Sequence, residues 1–319
     1  MKKIFILSLC ATISLSVLAQ LKTVTPGQKL IVTDKAIKFI AMGDFGRNGE
    51  ESQVEVARQM GKTAKDFDVD FFVITGDNFY PSGVASTQDY SWIASFEQIY
   101  TAHSLQREWY VVLGNHDYGG NVQAEIDYTN ISRRWRMPSR YYSKKVVIDN
   151  DTTQQALFVF IDTSPFISQY YDNKNHDVAT QDTAAQLVWV EKILSDPSPD
   201  IKWKIVVGHH PLYTGGNRMI SNDTKELNDL FKGIFEKYNV DAYICGHDHN
   251  LQYIKPAGKT HYFVTGSGSE VTPTIKHPDG GKFAAAENGF MAFSLSVDKM
   301  IVQVINKKGK ILYSGSIKK

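Results

Sequence analysis

The sequence predicts an α/β (α+β) domain in which two mixed β-sheets pack together and helices flank them. Three observations carry that expectation. Short apolar runs rich in Val, Ile, Phe and Tyr recur along the chain, and five end in Gly followed by Asp, Asn or His. Segments of helical period lie between them. After Lys259 strands follow one another across short turns.

In chain order, Ile37–Met42 ends at Gly43-Asp44. Glu51–Asp66 then carries Val54, Val56, Ala57 and Met60, a helical spacing. Val69–Thr75 ends at Gly76-Asp77-Asn78, and Trp109–Leu113 at Gly114-Asn115-His116-Asp117. Gln181–Leu194 has helical period through Ala184, Leu187, Val188, Val190, Ile193 and Leu194. Ile201–Val207 ends at Gly208-His209-His210. A helix over Thr224–Tyr238 presents Leu227, Leu230, Phe231, Ile234 and Phe235. Val240–Cys245 ends at Gly246-His247-Asp248-His249. Strand–helix alternation implies βαβ units and a largely parallel sheet. His261–Thr265, Gly289–Val297, Ile301–Asn306 and Ile311–Gly315 imply a second sheet, partly antiparallel. No repeat, low-complexity tract or linker interrupts this pattern, so residues 20–319 read as one domain.

The N-terminus differs. Met1-Lys2-Lys3 is a basic start, Ile4–Leu18 is apolar, and Val17-Leu18-Ala19 is a small-residue cleavage signal before Gln20. Residues 1–19 therefore read as a signal peptide and place the protein in the periplasm or outside the cell. Leu9 before Cys10 argues against lipidation. Loss of Lys2 and Lys3 with the leader takes the formal net charge from +1 to −1, which disfavours a nucleic-acid binder. The rest of the chain has no apolar stretch long enough to span a bilayer. Of the two cysteines only Cys245 remains, so no internal disulfide forms and stability must come from the core. A monomeric envelope protein is expected.

Ligands of open α/β sheets bind outside the carboxyl ends of the strands. Five strand ends here offer Asp44, Asp77, Asn78, Tyr80, Asn115, His116, Asp117, His209, His210, His247, Asp248 and His249. Such oxygen and imidazole donors are what a metal site uses. His247 and His249 are spaced two apart, so both rings of an extended segment face one side while Asp248 turns away.

These residues resemble a known family. The blocks Gly43-Asp44-Phe45-Gly46, Gly76-Asp77-Asn78-Phe79-Tyr80, Gly114-Asn115-His116-Asp117, Val206-Val207-Gly208-His209 and Gly246-His247-Asp248-His249 are similar to those of the calcineurin-like metallophosphoesterases. Tyr80 narrows the likeness to the small purple, or tartrate-resistant, acid phosphatases. The resemblance spans about Ile37 to Ser269 and implies a four-layer sandwich. It implies a binuclear centre of Fe3+ plus a divalent ion, either iron, zinc or manganese. Asp44, Tyr80 and His249 would hold the ferric ion, Asp77 would bridge, and Asn115, His209 and His247 would hold the second ion. By the same resemblance the substrates are small phosphate monoesters, and metal-activated hydroxide attacks phosphorus in line. His116, free of metal duty, is the expected proton donor to the leaving group.

One position departs from the family. Relatives carry a further histidine about nine residues after the match to His209, where Arg218 stands here. Arginine binds phosphate oxygens but supplies no proton. Asn115, Arg218 and His210 are the expected substrate contacts, with His210 taking over part of the lost role. The segment Phe166–Thr180 reads as a surface loop, or as one overhanging the pocket. His103, His176, His261 and His277 receive no role. The alternatives are a phosphodiesterase or nucleotide pyrophosphatase on the same scaffold and a non-catalytic metal protein. The second is disfavoured because all seven ligand positions and His116 are present.

Overall fold

The computed structural model describes residues 29–172, 177–274 and 280–319. The expected leader, His176, His277 and the middle of the Phe166–Thr180 segment lie outside them. In chain order the elements are β1 (Ile37–Met42), α1 (Gln53–Phe67), β2 (Phe71–Ile74), β3 (Glu108–Val111), α2 (Val122–Asp127), β4 (Trp135–Arg136), β5 (Tyr142–Ile148), β6 (Asp151–Phe160), α3 (Thr183–Leu194), β7 (Ile201–Val207), α4 (Asn222–Lys237), β8 (Ala242–Cys245), β9 (Leu251–Ile254), β10 (His261–Thr265), β11 (Gly281–Ala285), β12 (Gly289–Leu295), β13 (Lys299–Asn306) and β14 (Ile311–Lys318).

They form two seven-stranded sheets, in the orders β14-β13-β12-β1-β2-β3-β4 and β11-β9-β10-β8-β7-β6-β5. In the first, β1, β2, β3 and β4 are parallel, and β12 to β14 add on antiparallel beyond β1. In the second, β6, β7, β8 and β10 are parallel between antiparallel edges. The C-terminal strands therefore do not build a sheet of their own. β10 joins the second sheet, and β12–β14 complete the first.

The core lies between the sheets. Phe39 of β1 stacks on Phe293 of β12 at 4.8 Å and meets the edge of Phe158, in β6 of the opposite sheet, at 5.3 Å. Phe263 of β10 meets Phe293 at 5.2 Å. Each such ring, fully buried, contributes on the order of 1.5–3 kcal/mol. The helices cover the outer faces. α1 buries Val56, Met60, Ala64 and Phe67, an i, i+4, i+8, i+11 stripe, and touches β12. Asp182 caps α3 by accepting the Ala185 N–H at 2.9 Å, and α3 packs on β6. α4 lays Phe235 against Tyr243 of β8 at 5.5 Å. No helix among the described residues is long and apolar enough to cross a membrane.

Parallel pairing puts the carboxyl ends of β1, β2 and β3 on one edge, and those of β7 and β8 on one edge of the other sheet. The two edges are tied together. Gly43 N–H donates to the Thr265 carbonyl at 2.9 Å, and Gly268 N–H donates to the Gly43 carbonyl at 3.1 Å.

Candidate metal centre

Five strand ends converge there. After β1, Asp44 is fully buried with φ +58°, and after β2, Asp77 has φ +49°. His247, after β8, has φ +67°. Non-glycine residues rarely adopt this left-handed backbone, and such strain collects at functional sites. Two glycines make room. A Cβ on Gly114 would stand 2.2 Å from Asp77 Oδ1, and one on Gly246 would stand 2.3 Å from Asp44 Oδ2. Only a residue without a side chain lets the carboxylates sit there.

One half of the site gathers around Tyr80. Its phenolic oxygen lies 3.2 Å from Asp44 Oδ1, 3.0 Å from Asp77 Oδ2 and 3.1 Å from His249 Nε2. His249 Nε2 is also 3.4 Å from Asp44 Oδ1. Burial, then the Asp77 and Asp44 carboxylates, push the Tyr80 phenol well above its ordinary pKa. Only a cation among these oxygens makes the phenolate the stable form.

The other half gathers around His209. Its Nδ1–H donates to the Thr75 carbonyl at 2.7 Å, leaving the Nε2 lone pair 3.2 Å from Asn115 Oδ1 and 3.3 Å from Asp77 Oδ2. His247 is fixed from the opposite side, where Nε2–H donates to Asp223 Oδ2 at 3.0 Å. Its Nδ1 therefore turns a lone pair toward His209 Nε2 at 3.2 Å. Two imidazole nitrogens, an amide oxygen and a carboxylate oxygen thus crowd one point. Burial opposes a charge on His209, yet Asp77 and Asp44 lift its pKa to about 9. The pocket demands positive charge, and the donor set fits a divalent cation. Asp77 stands between the two halves, so the residues present fit a pair of ions.

The expected residues are not all in one place. Asp44, Asp77, Tyr80, Asn115, His209, His247 and His249 come together. His116 sits at the rim, half-buried, its ring 4.5 Å from that of Tyr80. Its Nδ1 meets the Pro81 carbonyl at 2.6 Å, and among the described residues Nε2 has no hydrogen-bond partner. Arg218 lies on the open side, in a cleft of about 360 Å³ shared with Asn217, His247, Asp248, His249 and Thr272. A larger cleft of about 680 Å³ between α1 and segment 98–105 is lined by none of the metal-site donors.

The expectation of a substrate contact fails for His210. It is fully buried, Thr163 Oγ1 is 2.8 Å from Nδ1, and the Tyr170 hydroxyl is 2.9 Å from Nε2. Burial, with His247 and His209 nearby, holds its pKa well below the ordinary value. It packs beneath His247, ring to ring at 4.3 Å, as a neutral support. Tyr170 shows that segment 166–180 turns a side chain into this support rather than only lying on the surface. Asp248 turns away from the site, accepting Thr214 Oγ1–H and, at 3.4 Å, the Arg218 N–H. It fastens the loop that carries Arg218.

Asp223 is the partner that sequence reasoning missed. Burial would raise its pKa, but the His247 hydrogen bond and Ser221 hold it below the usual carboxylate range. Its place at the start of α4, after Ser221, reads as ordinary helix-start chemistry.

Residues 37–251 match the family model of calcineurin-like phosphoesterases. Purple acid phosphatase 7 of Arabidopsis thaliana is 36% identical over 298 residues, covering 90% of this chain and 88% of that protein. The chain belongs to the purple acid phosphatase family. Tartrate-resistant acid phosphatase type 5 of Oryctolagus cuniculus is 32% identical, covering 89% of this chain and 91% of that protein. Among solved structures, GAP50, the anchor in the inner membrane complex of Plasmodium, superposes with a TM-score of 0.78 at 24% identity, covering 89% of each chain. That likeness speaks for the fold alone. Membership in the purple acid phosphatases implies a binuclear metal centre, and the chain is a metal-dependent phosphoesterase.

Proposed function

We propose that this protein is an acid phosphatase that hydrolyses small phosphate monoesters at a centre of Fe3+ and a divalent ion, either iron, zinc or manganese. The observation that carries the reading is the pair of ring nitrogens, His209 Nε2 and His247 Nδ1, that face each other at 3.2 Å beside the Asp44–Tyr80–His249 group, with Asp77 shared between them. Phenolate and carboxylate suit a hard trivalent ion, and imidazoles with an amide oxygen suit a divalent one. Asp44, Tyr80 and His249 would hold the first, Asn115, His209 and His247 the second, and Asp77 would be shared by both. When bound, the two ions supply the charge that polarises the phosphoryl oxygens and activates water.

The chain's own groups do the rest. Arg218 reaches phosphate oxygens from the open side, and Asn115 is the second substrate contact. His116 Nε2, free while Nδ1 is held by the Pro81 carbonyl, carries a proton to the leaving alkoxide. Residues 20–319 act as one catalytic domain and as a monomer. The leader pattern at 1–19 supports export to the periplasm or beyond, and N-terminal sequencing of the exported protein checks it.

Metal analysis with visible absorption tests the centre: two metal equivalents, one of them iron, with a tyrosinate band that is lost in Tyr80→Phe. Nitrophenyl phosphate and its bis-ester then separate monoesterase from diesterase activity. Faster turnover of the bis-ester refutes the monoesterase assignment.

A further inference from the structure

Arg47 follows β1 by a few residues, and the metal-site reading gives it no part. Its guanidinium carbon lies 3.8 Å from the centre of the Tyr80 ring. It is locked there. Nη2 donates to Glu270 Oε2 at 2.5 Å, Nε donates to Ser269 Oγ at 3.2 Å, and the backbone N–H donates to Gln53 Oε1 at 3.1 Å. The other ends of these contacts also lead to the site. Glu270 Oε2 is 3.5 Å from His249 Nδ1, the ring nitrogen turned away from the Tyr80 oxygen. Ser269 Oγ–H donates to the Asp44 carbonyl at 2.6 Å. One Arg–Ser–Glu unit thus touches Tyr80, His249 and Asp44. These are the three residues assigned to a single ion, Asp44 being touched at its main-chain carbonyl, and among the described contacts the unit meets none of the second ion's ligands.

We infer that Arg47, fixed by Glu270 and Ser269, is a positioning residue that sets the electron-donating strength of Tyr80 toward the ferric ion. The inference rests on the reading that Tyr80 binds iron. The physics is that of a cation over a π face: positive charge lowers the energy of the ring electrons. Moving an electron from ring to ferric ion leaves the ring positive beneath a guanidinium, which costs energy. Arg47 therefore places the charge-transfer band at shorter wavelength. By the same field it favours the ferrous over the ferric state. A second consequence is geometric, because the stacked guanidinium holds the Tyr80 ring in one plane against its carboxylate neighbours.

The test is optical and redox, made on the full-length protein loaded with iron. Arg47→Met keeps the length and removes the charge. Arg47→Gln removes the charge but keeps polar atoms for Glu270 and Ser269, and serves if the Met variant does not fold. Both are expected to bind iron as the parent does and to move the visible band to longer wavelength. At a fixed ambient potential their ferric-to-ferrous ratio should rise about fivefold, the scale of a partly desolvated cation–π contact. Arg47→Lys, which restores the charge, should move both readings back toward the parent. If the parent is coloured and neither the band nor the ratio moves in the Met and Gln variants, Arg47 has only a structural role. The same holds if Lys behaves as Met does. A parent that binds iron without a visible band overturns the Tyr80 assignment itself, and this inference with it.

Discussion

Replacing Asp223 with Asn should weaken the divalent-ion site and leave the Tyr80 site filled. Asp223 is fully buried, and its two oxygens do different work. Oδ2 accepts His247 Nε2–H at 3.0 Å, while Oδ1 accepts Thr224 N–H at 2.7 Å and the Ser221 hydroxyl. An asparagine cannot serve both sides. With its oxygen toward His247, its NH2 confronts the Thr224 N–H. With its oxygen toward Thr224, its NH2 confronts His247 Nε2–H. Relief in the second case moves the imidazole proton to Nδ1, and the lone pair facing His209 is gone. Either outcome leaves a buried polar group unpaired, at a cost of about 1–3 kcal/mol. The corresponding loss of affinity is about 10–100-fold, the usual effect of removing the carboxylate behind a ligating histidine. Competition with a graded chelator measures it, with iron and the divalent ion counted separately. With the divalent ion in large excess kcat should recover, while KM stays raised because Asp223 Oδ2 also lies 3.7 Å from Arg218 Nη1. A folded Asp223→Asn protein that keeps its divalent affinity within about twofold would show that His247 does not ligate through Nδ1.

The remaining expectations concern other parts of the molecule. His116→Asn should lower kcat by about 10²–10⁴ on alkyl phosphates, whose leaving group needs a proton, and far less on nitrophenyl phosphate, with metal content unchanged. Arg218→Ala should raise KM about 10–100-fold through loss of charge-assisted hydrogen bonds and weaken inhibition by inorganic phosphate, with kcat less affected. Glu125, buried beside Asn78 and Asp117, is lifted by burial from 4.5 to about 8. Its neutral form stabilises the fold fully below the unfolded value, and that contribution is lost as pH rises from 4.5 through about 8. Glu125→Gln should therefore flatten the fall in melting temperature across that window. An unchanged pH profile in the variant counts against a buried neutral acid.

What was legible in the sequence follows from burial. β1, β2 and β8 are covered on both faces and β7 in its last three residues, so they end in apolar runs, and a glycine follows soon after each. The β5–β6 hairpin was not legible. Along β5 buried and exposed positions mix, with Lys144 and Lys145 on an edge, and β6 begins with polar residues. Its turn did leave a signal: Asp149 and Asn150 both take positive φ, at 52° and 58°, as a two-residue hairpin turn requires. The split of the C-terminal strands between two sheets could not be read at all, because strand pairing depends on tertiary packing. The site divides in the same way. Residues that face the ions sit at strand ends with a glycine before or near them. Asp223, Arg47 and Glu270 act from outside, from a helix start and two loops, where an acid or a base has many ordinary reasons to be. His210 shows the converse error. It was expected to take over part of the role lost at Arg218, but its ring turns into the support, between Thr163, Tyr170 and His247.

The strain in this site explains where the fold can change and where it cannot. Asp44, Asp77 and His247 each hold a left-handed backbone that costs roughly 1–2 kcal/mol for a residue with a Cβ. That cost persists only because the surroundings over-determine the conformation. Asp44 N–H is tied to the Gly76 carbonyl at 2.9 Å, and His247 N–H is held by the Asp44 carboxylate at 3.1 Å. The chain's own hydrogen bonds thus help to hold the donors in place. The loop with Arg218 is built differently. Its side chain is 43% exposed, and the neighbouring Ile220 is 86% exposed. Asp248, Thr214, Gln252 and Asp223 fasten that loop to the centre. Substitutions among residues 217–220 should therefore alter which phosphate esters are accepted while metal content stays constant. The same substitutions at Gly114 or Gly246 should abolish metal binding outright, because a methyl group there occupies the space of a carboxylate oxygen. A Gly114→Ala protein that still binds two metal ions would mean that Asp77 can bridge from a second backbone conformation. The rigidity on which this reading of the site depends would then be absent.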